Sequence, residues 1–317
     1  MNPTSLPRYN ARRILNTAYK APQRRAFSSP SPTSLPNSPA RLSGRTCMIT
    51  GGTSGIGFAI AQRFLQEGAE QIILVGRSYP RLITAANKLS TPTSPPPSTA
   101  QNNESPKQGS LIQTPHQIRL LVGDISDAGT WARELENAML PVDILVNAAG
   151  ISHSSILPKT SATEISQILR TNLEGAIFTS RALLRAAVRN RLKAPAARPA
   201  SKCIINISSL LALKGGTGAV PYAASKAGIL GLTRSVAVEA AGSLRDVVVR
   251  SNAIVPGYIE TPMIAEFSEG QTEGLKGRIP LRRFGVPGEV ADAAVFLAGN
   301  EYANNCVLNL DGGLSAV

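Results

Sequence analysis

Two residues that can move protons stand four positions apart in the second half of the chain, Tyr222 and Lys226. The Ala-rich run around them predicts a helix, on which positions i and i+4 share one face. The phenol and the ammonium would then point the same way. A cation beside a phenol lowers its pKa, which makes the phenol a usable proton donor and acceptor near neutral pH.

A third candidate for the same centre is Ser209, thirteen residues before Tyr222, at the end of an apolar run typical of a strand. The alternative interpretation is a solvated lysine and a half-buried tyrosine on an ordinary helix. Because the Tyr-x-x-x-Lys spacing is short and recurs by chance, it does not decide between the two by itself.

The glycine-rich segment 50–57, Thr-Gly-Gly-Thr-Ser-Gly-Ile-Gly, is a second chemical signal. It follows an apolar run at 47–49 and opens a helical pattern over 58–67, with another apolar run at 71–75. Glycines allow a tight turn and a close approach of the backbone to phosphate, and the helix N-terminus offers free N–H groups. The order strand, glycine turn, helix, strand therefore predicts a dinucleotide site.

With these segments, the chain resembles the short-chain dehydrogenase/reductase family over about residues 43–317. The family's Thr-Gly-x-x-x-Gly-x-Gly and Tyr-x-x-x-Lys patterns are met, while its Asn-Asn-Ala-Gly turn appears as Asn-Ala-Ala-Gly, without the second Asn. The residues that carry the resemblance are Thr50, Gly51, Gly55, Gly57, Asn147, Ala149, Gly150, Asn172, Ser209, Tyr222, Lys226, Pro256, Gly257 and Thr261.

The resemblance implies hydride exchange between a nicotinamide cofactor and a carbonyl or alcohol. Ser209 is expected to donate a hydrogen bond to the substrate carbonyl, and Tyr222 to protonate the developing alkoxide. Lys226 is expected to hold the nicotinamide ribose and to depress the pKa of Tyr222. Asn172 is expected to hold a water that links Lys226 to solvent. No cluster of metal ligands is visible in the sequence, and this chemistry needs none.

The cofactor preference follows from the end of the second strand, where NAD-preferring folds carry an acidic residue. Arg77 stands at that position, and no carboxylate is present. Its guanidinium group suits a 2′-phosphate, which favours NADPH. The alternative interpretation is that Arg77 is only a surface charge. By resemblance, Asp124 and Ile125 flank the adenine. The expected cofactor-binding residues are Gly51, Thr53, Ser54, Gly55, Ile56, Gly57, Arg77, Asp124, Ile125, Asn147, Ala149, Gly150, Tyr222, Lys226, Pro256, Gly257, Ile259 and Thr261.

Apolar runs that alternate with helical patterns predict a parallel sheet covered by helices on both faces. The expected fold is one α/β Rossmann-like domain over 44–317, doubly wound, with a mostly seven-stranded parallel sheet. Segment 91–115, rich in Pro, Ser and Asn, is expected to be a disordered insertion, and 257–285 a mobile substrate lid. Strands are predicted at 45–50, 71–76, 117–122, 143–147, 203–207, 247–255 and 306–310, and helices from 55 and at 80–90, 128–138, 162–192, 220–241 and 287–298.

The formal net charge of +13 is concentrated at the N-terminus. Residues 1–45 contain eight basic residues and no acidic one, which leaves 25 basic against 20 acidic residues in the remainder. This distribution argues against a nucleic-acid partner. The segment 1–43 is rich in Arg and Ser, and Arg25–Ser29 resembles a mitochondrial processing site, which predicts a transit peptide and a matrix protein. The alternative is a plain disordered tail.

The cysteines, the histidines and the hydropathy of the chain predict no further functional site. The three cysteines (Cys47, Cys203 and Cys306) lie in apolar runs and are interpreted as buried, reduced thiols, and the two histidines (His116 and His153) are isolated. No run of eighteen apolar residues predicts a membrane span.

The substrate signal is the stretch from Arg278 to Leu297, together with Leu-Asp-Gly-Gly at 310–313, which is similar to 3-oxoacyl-[acyl-carrier-protein] reductases. Three hypotheses follow: a mitochondrial NADPH-dependent reductase of this type, the same chemistry on a steroid, polyol or quinone, and a weakly active cofactor-binding scaffold subunit. The intact catalytic residues argue against the scaffold. The resemblance also implies a homotetramer or a mixed tetramer with a related subunit.

A basic cluster before the fifth predicted strand bears on the partner. It could dock an acidic acyl carrier protein. The alternative is a solvated helix end, where basic residues complement the helix dipole. The cluster comprises Arg185, Arg189, Arg191 and Lys193, with Arg245 after the next helix.

Overall fold

The centre of the fold is one eight-stranded sheet. The structure is a computed structural model that describes residues 40–90, 106–114, 117–193, 201–244, 247–265 and 267–317. Long apolar runs rich in Ile, Val and Leu form its middle strands. The strands are β1 (Thr46–Thr50), β2 (Gln71–Gly76), β3 (Leu111–Gln113), β4 (Ile118–Val122), β5 (Ile144–Asn147), β6 (Lys202–Ile207), β7 (Val249–Pro256) and β8 (Val307–Leu310).

The helices lie between these strands along the chain. One π turn, Arg170–Glu174, separates two of them. The α-helices are α1 (Gly55–Gln66), α2 (Tyr79–Leu89), α3 (Ala132–Ala138), α4 (Ala162–Leu169), α5 (Gly175–Lys193), α6 (Val220–Ser243), α7 (Glu269–Arg278) and α8 (Pro287–Gly299). Short 3-10 turns include Leu157–Lys159, Leu210–Ala212 and Pro262–Ile264.

The sheet order, β3-β4-β2-β1-β5-β6-β7-β8, reverses direction at β1. The chain builds outward from β1 through β2 on one side and through β5 on the other. Thr50, the last residue of β1, lies opposite both Val75 and Asn147. Open parallel sheets bind ligands outside the carboxyl ends of their strands at such a reversal. The topology therefore places a site next to Thr50.

Two apolar clusters fill the two faces of the sheet. The neighbouring residues Met48 and Ile49 belong to different clusters because successive strand side chains point to opposite faces. Ile49 packs in the cluster of Phe64 and Val295, from α1 and α8, and Met48 in the cluster of Leu183, from α5. Both faces of the sheet are thus covered, and the predicted doubly wound α/β class is confirmed.

One strand corrects the sequence interpretation. Segment 91–115 was expected to be disordered throughout, yet residues 111–113 form β3 and pair antiparallel with β4. Gly109, with a φ of +86°, turns the chain so that its N–H donates to the carbonyl of Val122 at 2.7 Å. Leu111 and Ile112 thus add an antiparallel edge strand to the seven parallel strands. Their short apolar pattern was concealed by the Pro- and Ser-rich sequence around it.

Several expectations fall on other parts of the chain. Most of the expected transit segment (1–39), most of the expected insertion (91–105 and 115), His116 and Arg245 lie outside the described residues. Across the ranges that are described, no helix is long and apolar enough to cross a bilayer. The same ranges contain no group of three or more His, Cys, Asp or Glu side chains that could hold a metal ion.

Candidate active site

The glycine-rich segment forms a tight turn from the end of β1 into α1. Gly51 has a φ of +68°, and a Cβ atom there would lie 2.8 Å from the backbone of Ala149. A Cβ atom on Gly57 would lie 2.5 Å from the carbonyl oxygen of Gly51. Glycine is therefore required at both positions. Ser54 precedes α1 without a side-chain capping bond, which leaves the helix N-terminus suited to an anion.

The Asn-Ala-Ala-Gly turn lies directly beside the glycine turn. The hydroxyl oxygen of Thr50 accepts the N–H groups of Ala148 at 3.2 Å and Ala149 at 3.1 Å, so the ends of β1 and β5 are joined. The two turns leave a concave surface of exposed backbone, here called the cradle, which larger side chains would fill. This cradle fits the pyrophosphate and ribose of a dinucleotide.

Two arginines face the end of the cradle beyond β2. The Nη1 atom of Arg77 lies 3.8 Å from a carboxylate oxygen of Asp124, and the arginine side chain is 64% exposed. Arg81, in the first turn of α2, donates to the Ser54 hydroxyl at 3.4 Å. The sequence interpretation missed Arg81, although its position four residues after Arg77 was a usable signal. The side chain of Ile125 is buried in the core, so only its backbone can face a nucleotide.

The side chain of Asn147 is used inside the protein. Its Oδ1 accepts the hydroxyl of Thr179 at 2.7 Å, and its Nδ2 donates to Asn206 at 2.8 Å. Asn206 in turn donates to Thr233 on α6 at 3.0 Å. These buried hydrogen bonds satisfy the amide of Asn147 and connect β5 and β6 to α5 and α6, so only the backbone of Asn147 is available to line the ribose side of the cradle.

The three expected proton-moving residues come together at the carboxyl end of β6. Tyr222 forms a side-chain hydrogen bond with Ser209, and the Nζ atom of Lys226 lies 5.7 Å from the centre of the Tyr222 ring. Lys226 is buried and donates to the carbonyl of Ile207 at 2.9 Å. The hydroxyl of Ser208, which the sequence interpretation missed, donates to the carbonyl of Lys226 at 2.7 Å and attaches α6 to β6.

Asn172 reaches this centre from a distorted helix. The expected helix over 162–192 is divided into α4, the π turn and α5, and Asn172 lies in the π turn. Its side chain accepts the N–H of Ile151 at 2.8 Å and donates to the carbonyl of Ile151 at 2.9 Å. A π turn shifts the helical hydrogen bonds by one residue, and such turns are frequent at functional sites.

Ser225 connects Asn172 to the helix of Tyr222 and Lys226. The Nδ2 atom of Asn172 donates to the Ser225 hydroxyl at 3.1 Å, which itself donates to the carbonyl of Tyr222 at 2.7 Å. A Cβ atom on Gly150 would lie 3.3 Å from the Nζ atom of Lys226. Ser225 was not identified as a site residue from the sequence, because a serine inside an Ala-rich helix carries no distinctive signal.

The pKa values of the two motif residues correct another expectation. Burial raises the pKa of the Tyr222 phenol, and the hydrogen bond with Ser209 opposes this shift without cancelling it. Burial lowers the pKa of Lys226 to about 8. The pKa of Tyr222 was expected to be depressed by Lys226. In this structure desolvation of the phenol outweighs its hydrogen bond with Ser209, so the pKa of Tyr222 shifts upward.

The segment after β7 closes the far side of the cradle. The side chain of Thr261 lies 3.3 Å from where a Cβ atom on Gly55 would stand, and Gly57 lies two residues further along α1. Pro256 ends β7, and Gly257 packs against Asp311 at the end of β8. The side chain of Ile259 is buried in the core beside Gly285, so its backbone alone can approach a nicotinamide.

The basic cluster lies at the opposite edge of the sheet. It occupies the last turns of α5, the helix that leads into the start of β6. Arg185 pairs with Glu136 at 2.5 Å, and Asn190 donates to the carbonyl of Leu140, just before β5. A carrier docked here would face the amino ends of the strands, away from Tyr222. This position favours the alternative interpretation, a solvated helix end whose basic residues complement the helix dipole.

Known proteins are similar to this chain in sequence and in fold. Residues 45–96 match the family model described as short chain dehydrogenase, and residues 98–315 match the one described as Enoyl-(Acyl carrier protein) reductase. The chain is 34% identical over 280 residues to the 3-oxoacyl-[acyl-carrier-protein] reductase FabG of Chlamydia trachomatis, covering 86% of this chain and 98% of that protein.

A mammalian relative and a solved structure extend the comparison. The 3-oxoacyl-[acyl-carrier-protein] reductase of Rattus norvegicus is 33% identical over 270 residues, covering 85% of this chain and 98% of the relative. A structure from Beutenbergia cavernae, assigned as an NAD(P) dependent gluconate 5-dehydrogenase with bound NADP at low occupancy, is 29% identical with a TM-score of 0.72. It covers 88% of this chain and 100% of that one. The chain belongs to the short-chain dehydrogenase/reductase family and is an oxidoreductase of that family.

Proposed function

We propose that this protein reduces the 3-oxo group of an acyl thioester, carried on acyl carrier protein, to the 3-hydroxyacyl thioester, with NADPH as the reductant. The observation that carries the proposal is the joint placement of Ser209, Tyr222 and Lys226 at the carboxyl edge of the sheet, beside a dinucleotide cradle. Two relatives, each matched by this chain over 98% of its own length, are named 3-oxoacyl-[acyl-carrier-protein] reductases. Their names support the proposed substrate class.

NADPH would lie along the glycine turn and supply the hydride. The N-terminus of α1 and the backbone of the two turns would hold its pyrophosphate and ribose. Arg77 and Arg81 would bind the 2′-phosphate, because guanidinium groups form strong, charge-assisted hydrogen bonds with phosphate oxygens. A carboxylate at the end of β2, which would favour the free 2′-hydroxyl of NADH, is replaced by Arg77.

The protein's own residues would bind the carbonyl and deliver a proton. The Ser209 and Tyr222 hydroxyls would hold the carbonyl oxygen, and Tyr222 would donate its proton as negative charge develops there. The upward shift of its pKa, caused by burial, favours the protonated phenol, which is the donating form. Lys226 would bind the ribose and, through Asn172 and water, return a proton to the tyrosine.

A second candidate function is the same chemistry on another carbonyl or alcohol. It is favoured by the structural similarity to the protein assigned as a gluconate 5-dehydrogenase. The same phenol would act as the base when an alcohol is oxidised and as the acid when a carbonyl is reduced, so the site is compatible with both directions.

The deciding experiment is a turnover assay of the full-length chain with NADPH. Acetoacetyl thioester would be compared with gluconate, steroid and quinone panels in both directions. Turnover of the thioester alone supports the proposal. Turnover of a compound from another class would identify that class as the substrate instead. A chain that binds NADPH but turns over none of these compounds would be a scaffold subunit.

We also propose that the protein works in the mitochondrial matrix, in fatty-acid synthesis. The support is the composition of residues 1–43, which are rich in Arg and Ser and contain no acidic residue. A reporter fused behind residues 1–45 should enter mitochondria and be shortened by processing. A diffuse cytosolic signal would contradict this proposal and leave the enzymatic one unaffected.

A further inference from the structure

The segment that follows β8 packs against the turn that carries Ser209. Residues 311–317, here called the 311–317 segment, include one 3-10 turn, Leu314–Ala316. The side chain of Leu314 is buried in a small apolar cluster with Leu210, the residue after Ser209. Ser209 is the N-cap of the 3-10 turn that Leu210 begins, so this packing lies directly beside the serine.

A lysine makes a second connection between the two turns. The Nζ atom of Lys214 donates to the carbonyl of Leu314 at 3.1 Å and to the backbone oxygen of Val317. The N–H of Lys214 donates to the carbonyl of Leu210 at 2.9 Å, which closes the turn after Ser209. Leu314 is therefore held twice, by its side chain against Leu210 and by its carbonyl on Lys214.

The 311–317 segment is itself fixed by Asp311. The carboxylate of Asp311 accepts the N–H groups of Gly313 and Ser315, both at 2.9 Å. Its carbonyl accepts the N–H of Leu314 at 3.2 Å. Gly313 has a φ of +88°, which glycine adopts at low cost. The segment therefore has one defined shape, which it can impose on the turn that it contacts.

The same segment contacts two further parts of the site. A Cβ atom on Gly257, in the Pro-Gly turn after β7, would lie 2.8 Å from the Cα atom of Asp311. The N–H of Leu281, just after α7, donates to the carbonyl of Gly312 at 3.2 Å. The 311–317 segment thus connects the turn after β7 and the chain after α7 to the turn that carries Ser209.

The direction of the Ser209 hydroxyl depends on the geometry of its turn. Its oxygen accepts the N–H of Leu211 at 3.2 Å, and its side chain forms the hydrogen bond with Tyr222. In the proposed reaction the same hydroxyl would hold the carbonyl oxygen of the substrate. A misplacement of about 1 Å in such a group can cost about 100-fold in rate. Contacts that fix the turn therefore bear on the chemical step.

We infer that Lys214 and Leu314 are positioning residues that fix the Ser209 hydroxyl for the substrate carbonyl. The inference rests on the proposed reduction of a 3-oxoacyl thioester. Both residues act through the turn that begins at Leu210, because backbone oxygens engage the ammonium of Lys214 and the Leu314 side chain is buried. Their contribution is expected in kcat and not in the affinity for NADPH.

The test is a double-mutant cycle on the full-length chain, measured as kcat with NADPH and an acetoacetyl thioester. Ser209→Ala should lower kcat about 100-fold or more, because it removes a donor to the carbonyl oxygen. Lys214→Met should lower kcat about tenfold, because the donor is misplaced but present. In the Ser209→Ala chain, Lys214→Met should cost less than about twofold further, since the group that it positions is gone. Lys214→Arg, which keeps a cationic donor, should restore most of kcat.

Lys202→Met is the matched control. The Nζ atom of Lys202 donates to the carbonyl of Val142 at 2.7 Å, at the amino edge of the sheet, so the variant should leave kcat within about twofold. Leu314→Val repeats the cycle through the packing contact with Leu210, and it tests the inference if Lys214→Met does not fold.

Two results would overturn the inference. One is a kcat that Lys214→Met and Leu314→Val leave unchanged, and the other is a loss of the same size in the presence and absence of the Ser209 hydroxyl, which would assign both residues to folding alone. Absence of turnover by the wild type would instead overturn the proposed function.

Discussion

The side chain of Asn172 pairs with the backbone of Ile151 through two hydrogen bonds, an accepted one of 2.8 Å and a donated one of 2.9 Å. This pairing holds the loop after β5 against the π turn between α4 and α5. The same amide donates to Ser225, next to Lys226. One side chain therefore sets the positions of the loop, the distorted helix and the helix of the proton-moving residues.

Asn172→Ala should weaken both folding and turnover. The change leaves the N–H and carbonyl of Ile151 without partners, which costs about 1–3 kcal/mol in the free energy of unfolding. It also removes the Asn172–Ser225 bond, so kcat should fall. Urea unfolding and steady-state kinetics are the measurements. Asn190→Ala is the matched control, since it removes a 2.8 Å bond from an amide to the carbonyl of Leu140 far from the site. It should lower stability and leave kcat unchanged.

Tyr222→Phe should abolish most turnover while NADPH still binds. The substitution deletes the phenolic proton donor and retains the ring, and general acid catalysis contributes on the order of 10²–10⁴-fold. We expect the Kd for NADPH, measured by fluorescence titration, to remain within about twofold because the ring is retained. Residual activity above a tenth of the wild-type value would contradict the assigned role.

Arg77→Ala and Arg81→Ala should each weaken NADPH and hardly affect NADH. Charge-assisted hydrogen bonds contribute roughly 1.5–3 kcal/mol, or about 10- to 100-fold in Kd. The exposed position of Arg77 favours the lower end of that range. Titration of both nucleotides by calorimetry tests this. Arg63→Ala is the control, because Arg63 on α1 pairs with Glu67 and Asp292, outside the cradle. Similar losses for both nucleotides would show that neither arginine distinguishes the 2′-phosphate.

Reduction should slow as the pH rises through about 8. Burial lowers the pKa of Lys226 to about 8, so the lysine carries its proton below that pH and loses it above. The ammonium is the form that would bind ribose and return a proton to Tyr222, whose own pKa is raised. The pH profile of kcat should show this limb, and Lys214→Met should leave it in place. A profile that stays flat well above this pKa would contradict the role of Lys226.

Local patterns were enough to predict much of the fold and part of the site. All seven parallel strands were predicted from apolar runs that stand between helical patterns. Six of them are largely buried, and a strand buried on both faces must be apolar along its length, whereas β8 at the edge is half-exposed. Tyr222, Lys226 and Ser209 were predicted to meet because helix periodicity and the parallel sheet bring them to one edge. The glycine turn was identified because only glycine adopts such backbone angles at low cost.

The remaining features depend on contacts between residues far apart in the chain. β3 exists because Leu111 and Ile112 find an open edge at β4, and that edge is created by the whole sheet order. Asn147 serves the core because Thr179 and Asn206 meet it there.

The amino-acid sequence by itself determined the α/β class, the glycine turn and the residue types that move protons. Only the tertiary structure decided the pKa direction of Tyr222, since desolvation depends on everything packed around the phenol. It also decided that the basic end of α5 faces the amino edge, away from the site. Charge and composition are local properties, whereas burial and position in a sheet belong to the assembled fold.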